Sequence, residues 1–314
     1  MPELTFTLRP RPPFRLDLTV WALRRRVHNA VDRFDDGVWR RILAIGKAPV
    51  AVAVRQTRCG ARPEIEVLIK AARPQAFKAA VSATVTRMLG LERDLSDFYR
   101  LARGDARLRE LAERLRGMKP VRYGTVFEAF ANAVACQLVS LSAGMHVLNR
   151  LSEACGIPFE VDGVTPPMRS FPPAAAIVRS NPDALRALGL SRQKGEYLIG
   201  LARLAIDPGD RDFASIERLA DDDAIARLSK IRGVGRWTAE YVMLRGFGRI
   251  NIFPGDDVGG RNKLFEWLGA SGEPTYDGVG RMLERWRPYG GLIYLHLIVN
   301  AVADGPQFAR PAAI

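Results

Sequence analysis

The sequence predicts an α+β protein: a small antiparallel sheet carrying helices over residues 1–115, an all-α domain over 116–305, and a tail over 306–314. Three observations predict it. Segments with strand character lie before Lys70, the pattern turns helical from about Leu91, and a Gly-Val-Gly turn at 233–235 joins two helix-like stretches. A chain of 314 residues suits two or three such units.

The elements follow in order. Phe6 to Leu8 and Pro49 to Arg55 carry the β-branched, apolar character of strands. Glu64 to Lys70 (EIEVLIK) alternates charged and apolar residues, as a half-exposed antiparallel strand does. Val20 to Asp32 and Pro74 to Met88 read as helices on one face of that sheet. Leu95 to Arg116 is charged and helical, and Thr125 to Gly156 is long enough for two helices, with Ser140 and Ser142 available as caps between them. Pro172-Pro173 and Asn181-Pro182 open short helices, because proline suits a first helical turn. Helical pattern continues over Ser191 to Ala205 and Phe213 to Lys230, then over Tyr276 to Arg287 and Leu292 to Ala303.

Composition narrows the function. Lys and Arg number 47 against 34 acidic residues, a formal charge of +13. Such an excess favours an anionic polymer or surface, although an Arg-rich proteome would give the same sign. Cys59, Cys136 and Cys155 are scattered and odd in number, which fits a reducing compartment without a disulfide framework or a metal cluster. No apolar run approaches membrane-spanning length and no signal pattern opens the chain, so a cytoplasmic protein with no membrane partner is expected.

The most specific stretch is Leu228 to Ala239 (LSKIRGVGRWTA), followed by Phe253 to Asp257 (FPGDD). Gly233 and Gly235 bracket the apolar Val234; glycine takes positive φ and lets a ligand approach the backbone. The following helix N-terminus offers unpaired N–H groups and the positive end of its dipole to a phosphate. Lys230, Arg232 and Arg236 add charge beside it, and Thr238 lies in its first turn. An ordinary αα turn with a glycine cap is the alternative for a bare Gly-x-Gly, but the surrounding pattern is much narrower.

On these residues the chain resembles the helix-hairpin-helix DNA glycosylase superfamily, most closely its bacterial 3-methyladenine DNA glycosylase II (AlkA-like) branch. The likeness rests on Leu228 to Phe247, Phe253 to Asp257, Trp286 to Leu297 (WRPYGGLIYLHL) and Ala133 to Leu141 (AVACQLVSL). It implies a TATA-binding-protein-like fold for the N-terminal sheet. It also implies a monomer acting on double-stranded DNA with damaged bases, and a location at the nucleoid. The family's catalytic aspartate matches Asp257. Lyase-type members carry a lysine directly after Gly-x-Gly-Arg or its equivalent; this chain has Trp237 there, and neither Lys230 nor Lys263 fills the slot. The resemblance therefore implies a monofunctional enzyme that leaves an abasic site. The cysteine cluster of iron–sulfur members has no counterpart after Cys155.

The chemistry asks for little else. Cleaving an N-glycosidic bond builds positive charge on the sugar, which a fixed carboxylate stabilises and against which it can direct water. No metal or cofactor is required. Asp257 can equally cap a helix, and a capping or structural role is expected for Asp256. Arg236 and Arg261 would favour an ionised Asp257 if they approach it. The base must leave the duplex. Trp237 and Tyr241 share a helix face and can stack on it, or serve as core; Trp21 is a further pocket candidate from the N-terminal part. The resemblance places a wedge at Gln137-Leu138, with Leu138 filling the vacated gap and Gln137 touching the opposite base or backbone. His296 reads as an interior residue, and Ile298 stands where relatives carry an aromatic, so the aromatic box is expected to be less complete. Two other readings stay open: a glycosylase of the same fold for oxidised, deaminated or mismatched bases, and a non-catalytic hairpin module that only grips DNA.

Overall fold

The computed structural model describes residues 1–161, 164–207, 209, 212–272 and 275–302. The expected tail over 306–314 lies outside them. In chain order the elements are β1 (Glu3–Leu8), α1 (Leu16–Arg24), β2 (Arg33–Asp35), β3 (Val38–Ile45), β4 (Ala48–Arg58), β5 (Glu64–Lys70) and α2 (Pro74–Met88). Then come α3 (Ser96–Arg103), α4 (Ala106–Arg114), α5 (Val126–Cys136), α6 (Leu141–Cys155), β6 (Pro158–Val161), β7 (Val164–Arg169), α7 (Ala174–Val178), α8 (Pro182–Ala187) and α9 (Arg192–Ile206). The chain continues through α10 (Phe213–Glu217), α11 (Asp221–Ser229), α12 (Arg236–Val242), α13 (Val258–Leu268), α14 (Tyr276–Leu283) and α15 (Gly290–Asn300).

β1 to β5 form one antiparallel sheet in the order β1-β5-β4-β3-β2. Alternation in β5 buries Ile65, Val67 and Ile69 completely, as EIEVLIK requires. They meet a helical layer led by α2, whose Val81, Val85 and Met88 are buried one and two turns apart. Of the two serines available between α5 and α6, Ser140 is the cap and accepts from the Ala143 N–H; Asn181 before Pro182 and Ser191 cap α8 and α9 in the same way, accepting from Ala184 and Lys194.

Four differences from the sequence reading have physical reasons. β3 escapes a search for alternation because VWRRILAI carries two arginines, and Arg41 is only 2% exposed. Its guanidinium is bound by Asp32 (2.9 Å) and by Glu128 on α5 (2.6 Å). Burial raises the Glu128 carboxyl above its ordinary range while Arg41 opposes that shift. Such a buried ion pair fixes how two elements dock more than it stabilises the fold. The helix expected over Val20 to Asp32 stops at Arg24: Arg25 turns left-handed (φ 60°), and the Asn29 side chain accepts from the Val31 and Asp32 N–H groups, an Asx turn. The stretches Leu95 to Arg116 and Phe213 to Lys230 each break into two helices, the first at Asp105, which caps α4.

The fourth difference is a β-hairpin inside the part expected to be all-α. β6 and β7 pair with each other alone, so the prolines of VTPPMR are tolerated on an edge. The hairpin packs on β3 and β4, and Ile42, Ala51, Phe159 and Met168 form a small separate core. The hairpin thus covers part of the sheet face opposite α2, over Ile42 and Ala51.

Candidate active site and DNA-binding hairpin

The hairpin is built as its sequence requires. α11 ends at Ser229, and exposed Lys230 is its C-cap. Gly233 has φ 87°, and a Cβ there would lie 2.3 Å from the Tyr197 ring, so both the conformation and the approach demand glycine. Val234 is buried at 4% exposure and anchors the turn. Gly235 is the N-cap of α12, and a Cβ there would meet nothing within 4 Å. No side chain caps this helix start, which leaves its first N–H groups without a capping acceptor beside an open backbone. Exposed Arg232 pairs with Glu196 at 3.2 Å, and exposed Arg236 pairs with Asp256 at 2.9 Å and lies 3.8 Å above the Tyr276 ring. Asp256 therefore makes an ion pair rather than a cap, and Arg236 reaches Asp256 instead of its neighbour Asp257.

Asp257 is half-buried at the N-cap of α13. Its Oδ1 accepts from the Gly260 N–H at 2.6 Å, and its Oδ2 accepts from the Trp237 indole Nε1 at 3.1 Å. The helix-cap reading of Asp257 is thus found, and the cap leaves its second oxygen to the Trp237 indole. Trp237 is half-buried, its ring 5.5 Å from that of buried Tyr241 at an interplanar angle of 32°. Behind them the Tyr241 hydroxyl meets the Tyr123 hydroxyl at 2.8 Å and accepts from Arg25 at 3.1 Å, while Arg25 also donates to Asn132. Burial raises the Tyr241 hydroxyl well above its ordinary range. Trp21 sits on α1 within the core, 4% exposed, with the Arg24 guanidinium 5.2 Å from its ring centre. What α1 delivers to the aromatic pair is its C-cap, Arg25.

The break between α5 and α6 carries Leu138, fully exposed and left-handed at φ 54°. A bulky apolar residue in this conformation costs about 1–3 kcal/mol, and here no burial offsets it. Gln137 points the other way. Its side-chain nitrogen donates to the Gly233 carbonyl (3.2 Å) and to Thr238 Oγ1 (2.9 Å), and Lys194 donates to its carbonyl (2.6 Å). The loop bearing Leu138 is thereby bolted to the hairpin through the amide nitrogen and the backbone carbonyl of half-buried Gln137.

His296 is fully buried, with Nδ1 2.9 Å from the Leu292 carbonyl and Nε2 without a partner. Burial pushes its imidazole down to about 4. Ile298 packs half-buried against the main core. Residues the sequence reading passed over are Arg25, Tyr123, Asn132, Lys194, Glu240 and Tyr276. Glu240 carried a signal: a single acid inside the otherwise apolar run Ala239 to Leu244.

An exposed glycine turn, an uncapped helix start and a half-buried carboxylate held beside an aromatic pair thus lie on one stretch of the chain, from Lys230 to Asp257. Residues 131–288 match the model of the HhH-GPD superfamily base excision DNA repair protein, and the chain belongs to that family. It is 26% identical over 278 residues to the DNA-3-methyladenine glycosylase of Bacillus subtilis, covering 88% of this chain and 90% of that one. It is also 26% identical over 300 residues to DNA-3-methyladenine glycosylase 2 of Escherichia coli, covering 93% and 96%. The 3-methyladenine DNA-glycosylase of Archaeoglobus fulgidus shares the fold with a TM-score of 0.80 at 24% identity, over 94% of this chain and 97% of that one.

Proposed function

We propose that this chain is a monofunctional DNA glycosylase of base excision repair that hydrolyses the N-glycosidic bond of alkylated purines of the 3-methyladenine type. The observation that carries the reading is the Asp257 carboxylate, held at both oxygens yet only half-buried, beside the Trp237 indole. The names of its relatives supply the lesion class.

The residues divide the work. The α11–α12 turn takes a backbone phosphate on the N–H groups after Gly235, with Lys230 beside it, and so positions DNA without reading its sequence. Leu138 enters the stack where the damaged nucleotide leaves, which gives its solvent-facing, strained pose a use. Trp237, backed by Tyr241, presents an aromatic face to the extruded base; a cationic alkylpurine over such a face gains roughly 0.5–2 kcal/mol. Asp257 stabilises the positive sugar in the transition state and directs water to its anomeric carbon. The position that would hold an amine nucleophile carries Trp237, so the product is an abasic site on an uncut strand. The partner is duplex DNA with damaged bases, met by a single copy of the chain in the cytoplasm at the nucleoid.

The test uses the purified protein, a duplex with one 3-methyladenine, and the Asp257→Asn variant. Wild type should release free base and leave a strand that breaks only after alkali. Asp257→Asn should lose release by at least about 10²-fold and still bind. Strand cleavage without alkali, or normal release by the variant, would sink the assignment.

A further inference from the structure

We infer that Glu240 is a positioning residue for Asp257: the Glu240 latch fixes the turn that presents the carboxylate. The inference rests on Asp257 acting as proposed above. Glu240 lies on α12 three residues after Trp237 and is 2% exposed. A buried carboxylate is costly unless its oxygens are engaged, and both are. Oε2 accepts from the Gly255 N–H at 3.0 Å, and Oε1 accepts from the Tyr276 hydroxyl at 2.6 Å.

Gly255 is the second residue of the turn Pro254-Gly255-Asp256-Asp257, closed by the Asp257 N–H donating to the Pro254 carbonyl at 2.9 Å. Holding the Gly255 N–H therefore sets the backbone that leads into Asp257. Tyr276, at the start of α14, packs against the same turn: a Cβ on Gly255 would stand 2.5 Å from its ring, and Arg236 lies over that ring at 3.8 Å while pairing with Asp256. Burial raises the Glu240 carboxyl and, with Glu240 beside it, the Tyr276 hydroxyl is pushed up to about 12, so Tyr276 stays the donor. α12 thus holds the Asp257 turn at two points, through the Trp237 indole on the Asp257 side chain and through Glu240 on the Gly255 N–H two residues before it. A residue that touches no substrate then controls where the reacting oxygen stands.

The experiment compares single-turnover base release from a 3-methyladenine duplex with affinity for a duplex carrying a non-hydrolysable abasic analogue. Wild type, Asp257→Asn, Glu240→Ala, Glu240→Gln and Tyr276→Phe are measured together. Glu240→Ala should slow release about 10²-fold, the order of loss for a misplacement near 1 Å, with affinity changed less than about threefold. Glu240→Gln keeps an acceptor for Gly255 and an amide for the tyrosine oxygen, and should restore release to within about fivefold of wild type. Tyr276→Phe, which leaves the Gly255 bond intact, should be slower by about threefold, and it decides the matter if Glu240→Ala does not fold. Release at the wild-type rate by Glu240→Ala or Tyr276→Phe overturns the latch. So does an equal loss of release and affinity, or a Gln variant as impaired as Ala. A wild-type protein inert on the lesion strikes the reading of the site itself, whereas an active wild type, a dead Asp257→Asn and a fast Glu240→Ala strike the latch alone.

Discussion

The Trp237 indole nitrogen lies 3.1 Å from Asp257 Oδ2 and donates to it, so an aromatic side chain of α12 also holds the carboxylate. Trp237→Phe keeps an aromatic face and removes the donor. A hydrogen bond to a charged group contributes about 1.5–3 kcal/mol, so single-turnover release should fall about 10- to 100-fold, with affinity for duplex DNA unchanged. Wild-type release would assign Trp237 to stacking alone.

Leu138→Ala removes side chain that the protein leaves in water, and its effect on unfolding free energy should stay within about 0.5 kcal/mol. Excision should slow more for a lesion in a stable pair than for a mispaired one, because the wedge offsets the cost of unstacking. Equal slowing in both contexts, read from single-turnover rates, would remove the wedge.

Gly235→Glu fills open space and places an anion where a phosphate is expected. Binding should weaken alike for damaged and undamaged duplexes of any sequence, and the slope of log affinity against log salt should become shallower. A loss restricted to particular sequences contradicts a backbone clamp.

His296 ties stability to pH. Its imidazole is held near 4 in the fold against an ordinary 6.5, so the unfolded chain binds the proton first. The neutral ring's full contribution is present above about 6.5 and drains away as pH falls towards 4, by about 3 kcal/mol in all. Denaturant titrations of wild type and His296→Leu between pH 7 and 4 should differ by one proton's slope in that window. Parallel curves would show that the ring titrates normally.

What could be read from the chain depended on whether each signal was local. EIEVLIK, the Ser140 cap, the Asn181-Pro182 helix start and the Gly-Val-Gly turn each announce themselves within a few residues, and each was found where expected. β3 was hidden because Arg41 finds Glu128 far along the chain, and no window on VWRRILAI reveals a neutralised arginine. The β6–β7 hairpin was hidden by its prolines, which weigh against a strand wherever the partner on the far edge is unknown. At the site, Asp257, Trp237 and Tyr241 were named in advance and stand together. Glu240 and Tyr276 were not, since their pairing spans a loop and depends on the turn they enclose.

The roofing of the first sheet by Phe159 and Met168 has a bearing on biosynthesis. A nascent chain emerging from the ribosome cannot shield that surface, or neutralise Arg41 with Glu128, until roughly half of the polypeptide has been made. The N-terminal unit is therefore born unfinished. Ribosomes stalled before Glu128 should carry a protease-sensitive sheet, and those stalled well beyond Met168 a resistant one.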